Sequence, residues 1–433
     1  VAMDDVPEGY KYPERVKFQV RDNVQADYLR AAEFVNVNHF DMAVMQHEYG
    51  IYGGASGSHI LSLIKSLRMP IVSTLHTVLT EPSDEQRAIM VDLARYCERL
   101  VVMSGLARDI LHDVYDIDKS KTAFIPHGIP DLPFSDTQFF KDQFNLLDRM
   151  VILTFGLLSP GKGIEHMIDA MPQVVEKHPE AVYIVLGATH PHVLREMGDA
   201  YRSGLQQRVN KLGMQDHVIF RNQFVEIDTL CKYLCAADIY VTPYLNEAQI
   251  TSGTLAYAMG SGTAVVSTPY WYANEMLADG RGRLTPFQDP EAMAAEINAL
   301  LDDDTERLKV RRKAYEYTRP MVWKEVARSY FALADEVEHD LAGRPHPVKI
   351  TTPASPIVEQ LPEIDVRHLE TLTDDTGVVH HAIFATPDRG SGYAVTDNAR
   401  ALAAICRHHK MMRETNYMPL IQVYLSFLNH AFN

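Results

Sequence analysis

Residues 151–163 read Val-Ile-Leu-Thr-Phe-Gly-Leu-Leu-Ser-Pro-Gly-Lys-Gly. An apolar run of strand length leads into a turn with glycines at 156, 161 and 163 and a lysine at 162. Such a turn sits where a parallel strand passes into a helix, and the unpaired N–H groups of the helix start face a crevice. Outward from it the same unit recurs. Apolar runs at 182–186, 217–220, 239–242 and 264–267 follow at intervals that leave room for a covering helix each. On the N-terminal side, runs at 16–20, 42–46, 71–75, 100–103 and 122–125 alternate with helical spacing at 56–68 and 83–96. The reading is α/β, with two Rossmann-like doubly wound parallel-sheet domains in tandem.

A polar, phenylalanine-punctuated stretch at 131–149 separates the two series. The organisation expected is an N-terminal domain over 1–140, a second domain over 141–320, a crossover helix over 321–341, a proline-rich linker over 342–363 and a further region over 364–433. That last region reads as a short strand pair and helices at 397–408 and 419–432, too little for an ample core of its own. The chain opens at Val1 without an initiator Met, and a first strand before it is expected to be missing.

The 433 residues are 46% apolar and 23% charged, which is globular composition, and they carry a net charge of −16. That charge disfavours nucleic-acid binding, which draws on Lys and Arg to neutralise phosphates. No apolar run reaches the roughly 18 residues of a membrane helix, and no secretion signal opens the chain, so the expected compartment is the cytoplasm. Four cysteines are too few for a disulfide framework, and Cys231 with Cys235 read as packing. His190 and His192 lack further ligands nearby, as do His380–His381 and His408–His409; neither a metal site nor a cofactor is expected.

Two turns of the second domain carry the chemistry. In the first, Gly156 admits close backbone approach and Lys162 supplies a point charge for a phosphate. In the second, Ser252 caps a helix from Gly253, and Ser252, Gly253 and Thr254 offer free amides to an anion. The alternative is a solvated lysine and simple capping. In the first domain His76 ends the run 71–75 and faces the cleft, to contact substrate or only to bond locally. His47 and Glu48, followed by Gly53 and Gly54, suit a polyol acceptor or a tight turn with a buried polar network.

Taken together, Pro126-His-Gly-Ile129, the Gly156–Gly163 loop, Ala237-Asp-Ile-Tyr-Val-Thr-Pro243 and Ala256-Tyr-Ala-Met-Gly-Ser-Gly-Thr-Ala-Val-Val-Ser267 resemble glycosyltransferases of the GT-B fold, in particular family 4. The resemblance covers about residues 41–330. It implies that Lys162 holds the donor diphosphate, that the helix after residue 252 caps it, that His76 reaches the donor sugar, and that the helix near 321–330 crosses back to the first domain. His127 is assigned with the acceptor, and Tyr257 and His190 with the nucleotide. The family's two glutamates fall on Gln249 and Tyr257, and its arginine after the first glycine is Leu157. Gln249 still exchanges hydrogen bonds with sugar hydroxyls, whereas Tyr257 offers no carboxylate to a ribose diol. Asp374-Asp-Thr-Gly377 and the stretch from Asp388 to Asn398 resemble the opening of an α/α toroid domain of carbohydrate enzymes, in which Asp388 and Asp397 serve turns or sugars.

The expected function is a hexosyltransferase moving a sugar from a nucleotide-sugar donor to a carbohydrate or related hydroxyl acceptor with retention. Catalysis falls to His76, Lys162 and Gln249. The rivals are a GT-B sugar phosphorylase and a non-catalytic sugar-binding module.

Overall fold

The computed structural model describes residues 1–6, 9–342, 364–412 and 417–432. The proline-rich linker expected over 342–363 lies almost wholly outside the described residues.

The first series builds a four-stranded sheet, Ala43–His47, Ile71–Leu75, Arg99–Val102 and Thr122–Phe124, all parallel and in sequential order. Residues 16–20 depart from expectation. The strand there is Gln19–Arg21, and it pairs with Ala2–Asp4 in a separate two-stranded sheet. Phe18 and Val20 nonetheless enter the same core as Ile71 and Leu100, which is why the stretch reads as a core strand. The helix expected over 56–68 shortens to Ile60–Ser66. Positive φ at Gly54, Ser56 and Gly57 breaks the segment before it.

The second sheet has six parallel strands in the order Arg283–Leu284, Ala264–Ser267, Ile239–Thr242, Met150–Phe155, Ala181–Leu186 and Val218–Arg221. From Met150–Phe155 the chain first builds outward on one side and later on the other. The order therefore reverses between Met150–Phe155 and Ile239–Thr242, and ligands of open α/β sheets bind at the carboxyl ends beside such a reversal. The turns singled out from sequence follow those two strands.

The stretch 131–149 is not irregular throughout. It holds the short helix Thr137–Lys141, whose Lys141 is 1% exposed and ion-paired to Asp238 at 2.7 Å. The helix Trp323–Ala342 crosses back to the first sheet. Val326, Leu333 and Val337 lie on one helical face and pack on Val72, Val101 and Ile125. Tyr330 and Thr74 share a hydrogen bond of 2.5 Å, and Arg99 pairs with Asp340 at 2.6 Å.

After residue 363, the short helix Arg367–Thr371 and the antiparallel pair Val379–Ile383 and Thr386–Tyr393 precede the helices Val395–Met412 and Met418–Phe432. A small core of Val378, Ala401, Ile405, Tyr417, Ile421 and Tyr424 holds them. Asp388 accepts from the Gly390 N–H within its turn, and Asp397 meets His380 of the strand Val379–Ile383 at 2.7 Å. Among the described residues no helix is long and apolar enough to cross a membrane, and no group of three or more His, Cys, Asp or Glu is arranged to hold a metal ion.

Candidate active site

The two turns are locked to one another through the backbone. The Leu245 N–H donates to the Gly161 carbonyl at 3.0 Å. Gly163 lies so close to Pro243 that a Cβ there would stand 2.0 Å from its carbonyl oxygen, and its φ of 62° belongs to the left-handed region. Lys162 ends a short 3-10 turn and lays its ammonium 3.8 Å from the centre of the Tyr244 ring. This cation–π contact turns the charge toward the second turn. Among the described residues no carboxylate lies within ion-pair distance of it.

Tyr244 is buried, and its hydroxyl shares a 2.8 Å bond with Thr254 Oγ1, which also lies 3.1 Å from Ser252 Oγ. Ser252 caps the helix Gly253–Gly260 by accepting from the Leu255 N–H. On the other side, the Gly156 turn faces Thr254, whose Cγ2 would meet a Cβ at residue 156 at 3.6 Å. Gly156, Lys162, Ser252, Gly253 and Thr254 thus converge through Tyr244. A cation, a helix N-terminus and two hydroxyls meet in one place, and that combination receives an anion.

Across the cleft, His127 Nε2 stands 2.7 Å from where a Cβ of Gly253 would be. Its Nδ1 bonds the Gly128 carbonyl at 2.8 Å, and its ring approaches Tyr257 at 6.0 Å and Trp323 at 6.2 Å. His127 therefore sits with the anion turn and Tyr257 rather than with the other residues assigned to the acceptor. The reason is that Ile129 is fixed to the second crossing, its N–H donating to Met321 and its carbonyl accepting from Trp323. His76 Nε2 bonds Gln46 Oε1 at 2.8 Å. Burial lowers the pKa of both His76 and His127, and the nearby His76 lowers that of His127 further. Both rings are therefore biased to the neutral form.

The remaining candidates are placed as follows. His47, assigned to the acceptor, is wholly buried with both ring nitrogens unpartnered, because positions 45 and 47 share the inward face of their strand. Burial first, and then His76, lower its pKa to about 4. Glu48 accepts from the Tyr49 N–H at 2.9 Å and from Thr77 Oγ1, just past the neighbouring strand, at 2.5 Å. Gly53 is a packing requirement, since a Cβ would fall 1.9 Å from the Asp22 carbonyl oxygen, and Gly54 faces the His59 ring. Gln249 donates to the Thr251 carbonyl at 3.1 Å within its own turn. His190 is exposed, its N–H bonded to the Leu158 carbonyl just beyond the glycine loop.

Three features escape sequence reading. An apolar cavity of about 350 Å³ opens beside Gly156, walled by Phe155, Leu157, Phe224, Val225 and Ile227. Phe224 is 82% exposed, and an aromatic left in water just after a strand is the signal that could have found it. Tyr244 carries no motif of its own, and only its contacts with Lys162 and Thr254 mark it. Glu275 of the second domain accepts the Gly105 N–H of the first with both carboxylate oxygens, at 2.9 and 3.0 Å.

Residues 149–303 match the family model described as glycosyl transferases group 1. The chain is 28% identical over 273 residues to the phosphatidyl-myo-inositol mannosyltransferase of Mycolicibacterium smegmatis, covering 62% of this chain and 65% of that protein. It is 25% identical over 289 residues to the D-inositol 3-phosphate glycosyltransferase of Corynebacterium glutamicum, covering 62% and 67%. The match to the first of these thus spans just under two thirds of that relative's length. Among solved structures, Anabaena Alr3699/HepE in complex with UDP superposes with a TM-score of 0.60 at 17% identity, covering 74% of this chain and 85% of that one. Sucrose-phosphate synthase from Thermosynechococcus elongatus gives 0.59 at 19% identity, covering 73% and 78%. The fold is GT-B, and the second sheet with its turns is similar to group 1 glycosyltransferases.

Proposed function

We propose that this chain is a glycosyltransferase that moves a hexosyl group from a nucleotide-sugar donor to a hydroxyl acceptor, with retention. One observation carries the reading. Lys162 leans on Tyr244 toward Thr254 and the amides after Ser252, at the sheet's reversal point and opposite His127. The adjoining apolar cavity suits the flat base of a nucleotide, and Gly156 between cavity and turn leaves room for a diphosphate. HepE, which shares the fold, is also solved with UDP and glucose together.

In this mechanism the bond between the sugar's anomeric carbon and the leaving phosphate oxygen breaks, and a bond to the acceptor oxygen forms. Charge grows on the diphosphate, where the ammonium and the helix amides stabilise it. The acceptor's proton passes to the departing phosphate oxygen on the same face, so a dedicated carboxylate base is unnecessary. Neutral His76 and His127 border the sugar's place and can hydrogen-bond it without attracting the leaving charge. Because Leu157 stands where the family has arginine, Lys162 acts as the cation of this turn.

Thermal melts with UDP, GDP, ADP and inorganic phosphate test the reading. One nucleotide is expected to raise the melting temperature, and Lys162→Met to abolish that rise. In an assay with the stabilising nucleotide's sugar, Lys162→Met should lose about 2–4 kcal/mol of transition-state stabilisation. Stabilisation by phosphate alone would point to a phosphorylase; near-native turnover of Lys162→Met would defeat the mechanism.

A further inference from the structure

A second cavity, of about 520 Å³, lies far from these turns in sequence, at the seam between the Ala2–Asp4 and Gln19–Arg21 strands and the region after residue 363. Its size is within the roughly 300–1,000 Å³ of small-molecule pockets. Gln19 lines it, is 6% exposed, and its side-chain amide has no hydrogen-bond partner among the described residues. Its amide atoms are not sealed from solvent and open on the cavity. A ligand with hydroxyls would supply both a donor and an acceptor to it.

The charges around Gln19 narrow the ligand. Arg21 is committed to Asp27, with Nε to Oδ2 at 2.7 Å and Nη2 to Oδ1 at 3.1 Å. Asp374 accepts from the Thr376 N–H and from the Tyr393 hydroxyl. Asp4, 5% exposed, accepts from the Tyr12 hydroxyl and has Arg389 near it. Glu370 and Asp375 remain as acceptors without a side-chain bond. The cavity therefore mixes acceptors, guanidinium donors and the Thr376 hydroxyl, with one ion pair, Arg21–Asp27, and an excess of carboxylates. Pro387, Pro419 and Leu420 add an apolar wall. Alternating donors and acceptors beside an apolar face match the hydroxyls and C–H face of a sugar ring, and surplus carboxylate disfavours a phosphorylated one.

We infer that this seam is a binding site for a neutral saccharide, separate from the proposed donor cleft and independent of that reading. Titration calorimetry of the full chain with maltose, sucrose, D-mannose and D-glucose tests it. At least one should bind, and Gln19→Leu and Asp375→Asn should each weaken it about tenfold or more. Asp375 is exposed and its exchange leaves the fold intact, so that variant decides the matter even if Gln19→Leu unfolds. Lys162→Met should leave the affinity unchanged, which separates this site from the cleft. No heat from any of the four, equal affinity in Asp375→Asn, loss of binding in Lys162→Met, or tighter binding of glucose 6-phosphate or spermidine would each overturn the proposal.

Discussion

Lys162 and His47 look alike in the sequence, each a polar residue at the end of an apolar run, yet their surroundings give them opposite roles. Lys162 leaves its strand on a glycine turn and meets Tyr244. His47 is the last inward position of a strand and is sealed beneath Tyr49 and Tyr52. A neutral buried imidazole has a pH signature. Its folded pKa of about 4 lies below the ordinary 6.5, so the unfolded chain binds the extra proton first. Its contribution is complete above pH 6.5, drains as pH falls toward 4, and totals about 3 kcal/mol. Denaturant melts at pH 7 and pH 5 should therefore show a loss in the wild type that shrinks in His47→Phe; equal losses would contradict this. Spacing could show that 47 and 76 lie at strand ends and that 162 lies in the turn after one. It could not show parity, the direction a side chain turns back, or that Gln249 closes on Thr251 and Glu48 on Thr77. The Glu48–Thr77 contact in particular depends on a neighbour distant in sequence.

At the scale of elements, the apolar runs were legible because parallel strands covered on both faces are continuously apolar. The Ser252 cap made one helix start equally readable, and the structure adds a capping box at Ser83. What sequence obscured was polar structure inside the second domain. Thr137–Lys141 belongs there because Asp238 draws it in, accepting from Lys141, from Thr137 at 3.2 Å and from the Val151 N–H at 2.7 Å. A buried charge stripped of its partner is costly, so Lys141→Met should destabilise by about 3–5 kcal/mol. Leu333→Ala in the crossover helix should cost about 2–5 kcal/mol through its cavity. Urea unfolding measures both, and a loss under 1 kcal/mol for Lys141→Met would mean that water already reaches Asp238.

At the scale of the molecule, the two domains are joined by chain segments that run together. Ile129 on the outgoing segment bridges Val322 on the returning one, so relative motion has its pivot there. Across the cleft from that pivot, Glu275 grips Gly105 at the start of the helix Gly105–Tyr115, and Ile250 of the second domain is buried in the first domain's core. A carboxylate at a helix N-terminus is favoured by the unpaired amides and the dipole. Neither partner could be inferred from sequence, since Glu275 is one of 57 acidic residues and Gly105 belongs to the other domain. Charged hydrogen bonds contribute about 1.5–3 kcal/mol, so Glu275→Ala should favour the open form by roughly tenfold or more. Small-angle scattering should then show a larger radius of gyration, with the melting temperature of each domain little changed. Nucleotide should bind with affinity nearer the wild-type value than in Lys162→Met, because the donor turns themselves are intact. Turnover should fall further than that affinity, because His76, which follows a strand of the first sheet, would move away from the turns while His127 stays with them. An unaltered scattering curve together with normal turnover would show that Ile250 and the crossing segments hold the cleft closed without the carboxylate.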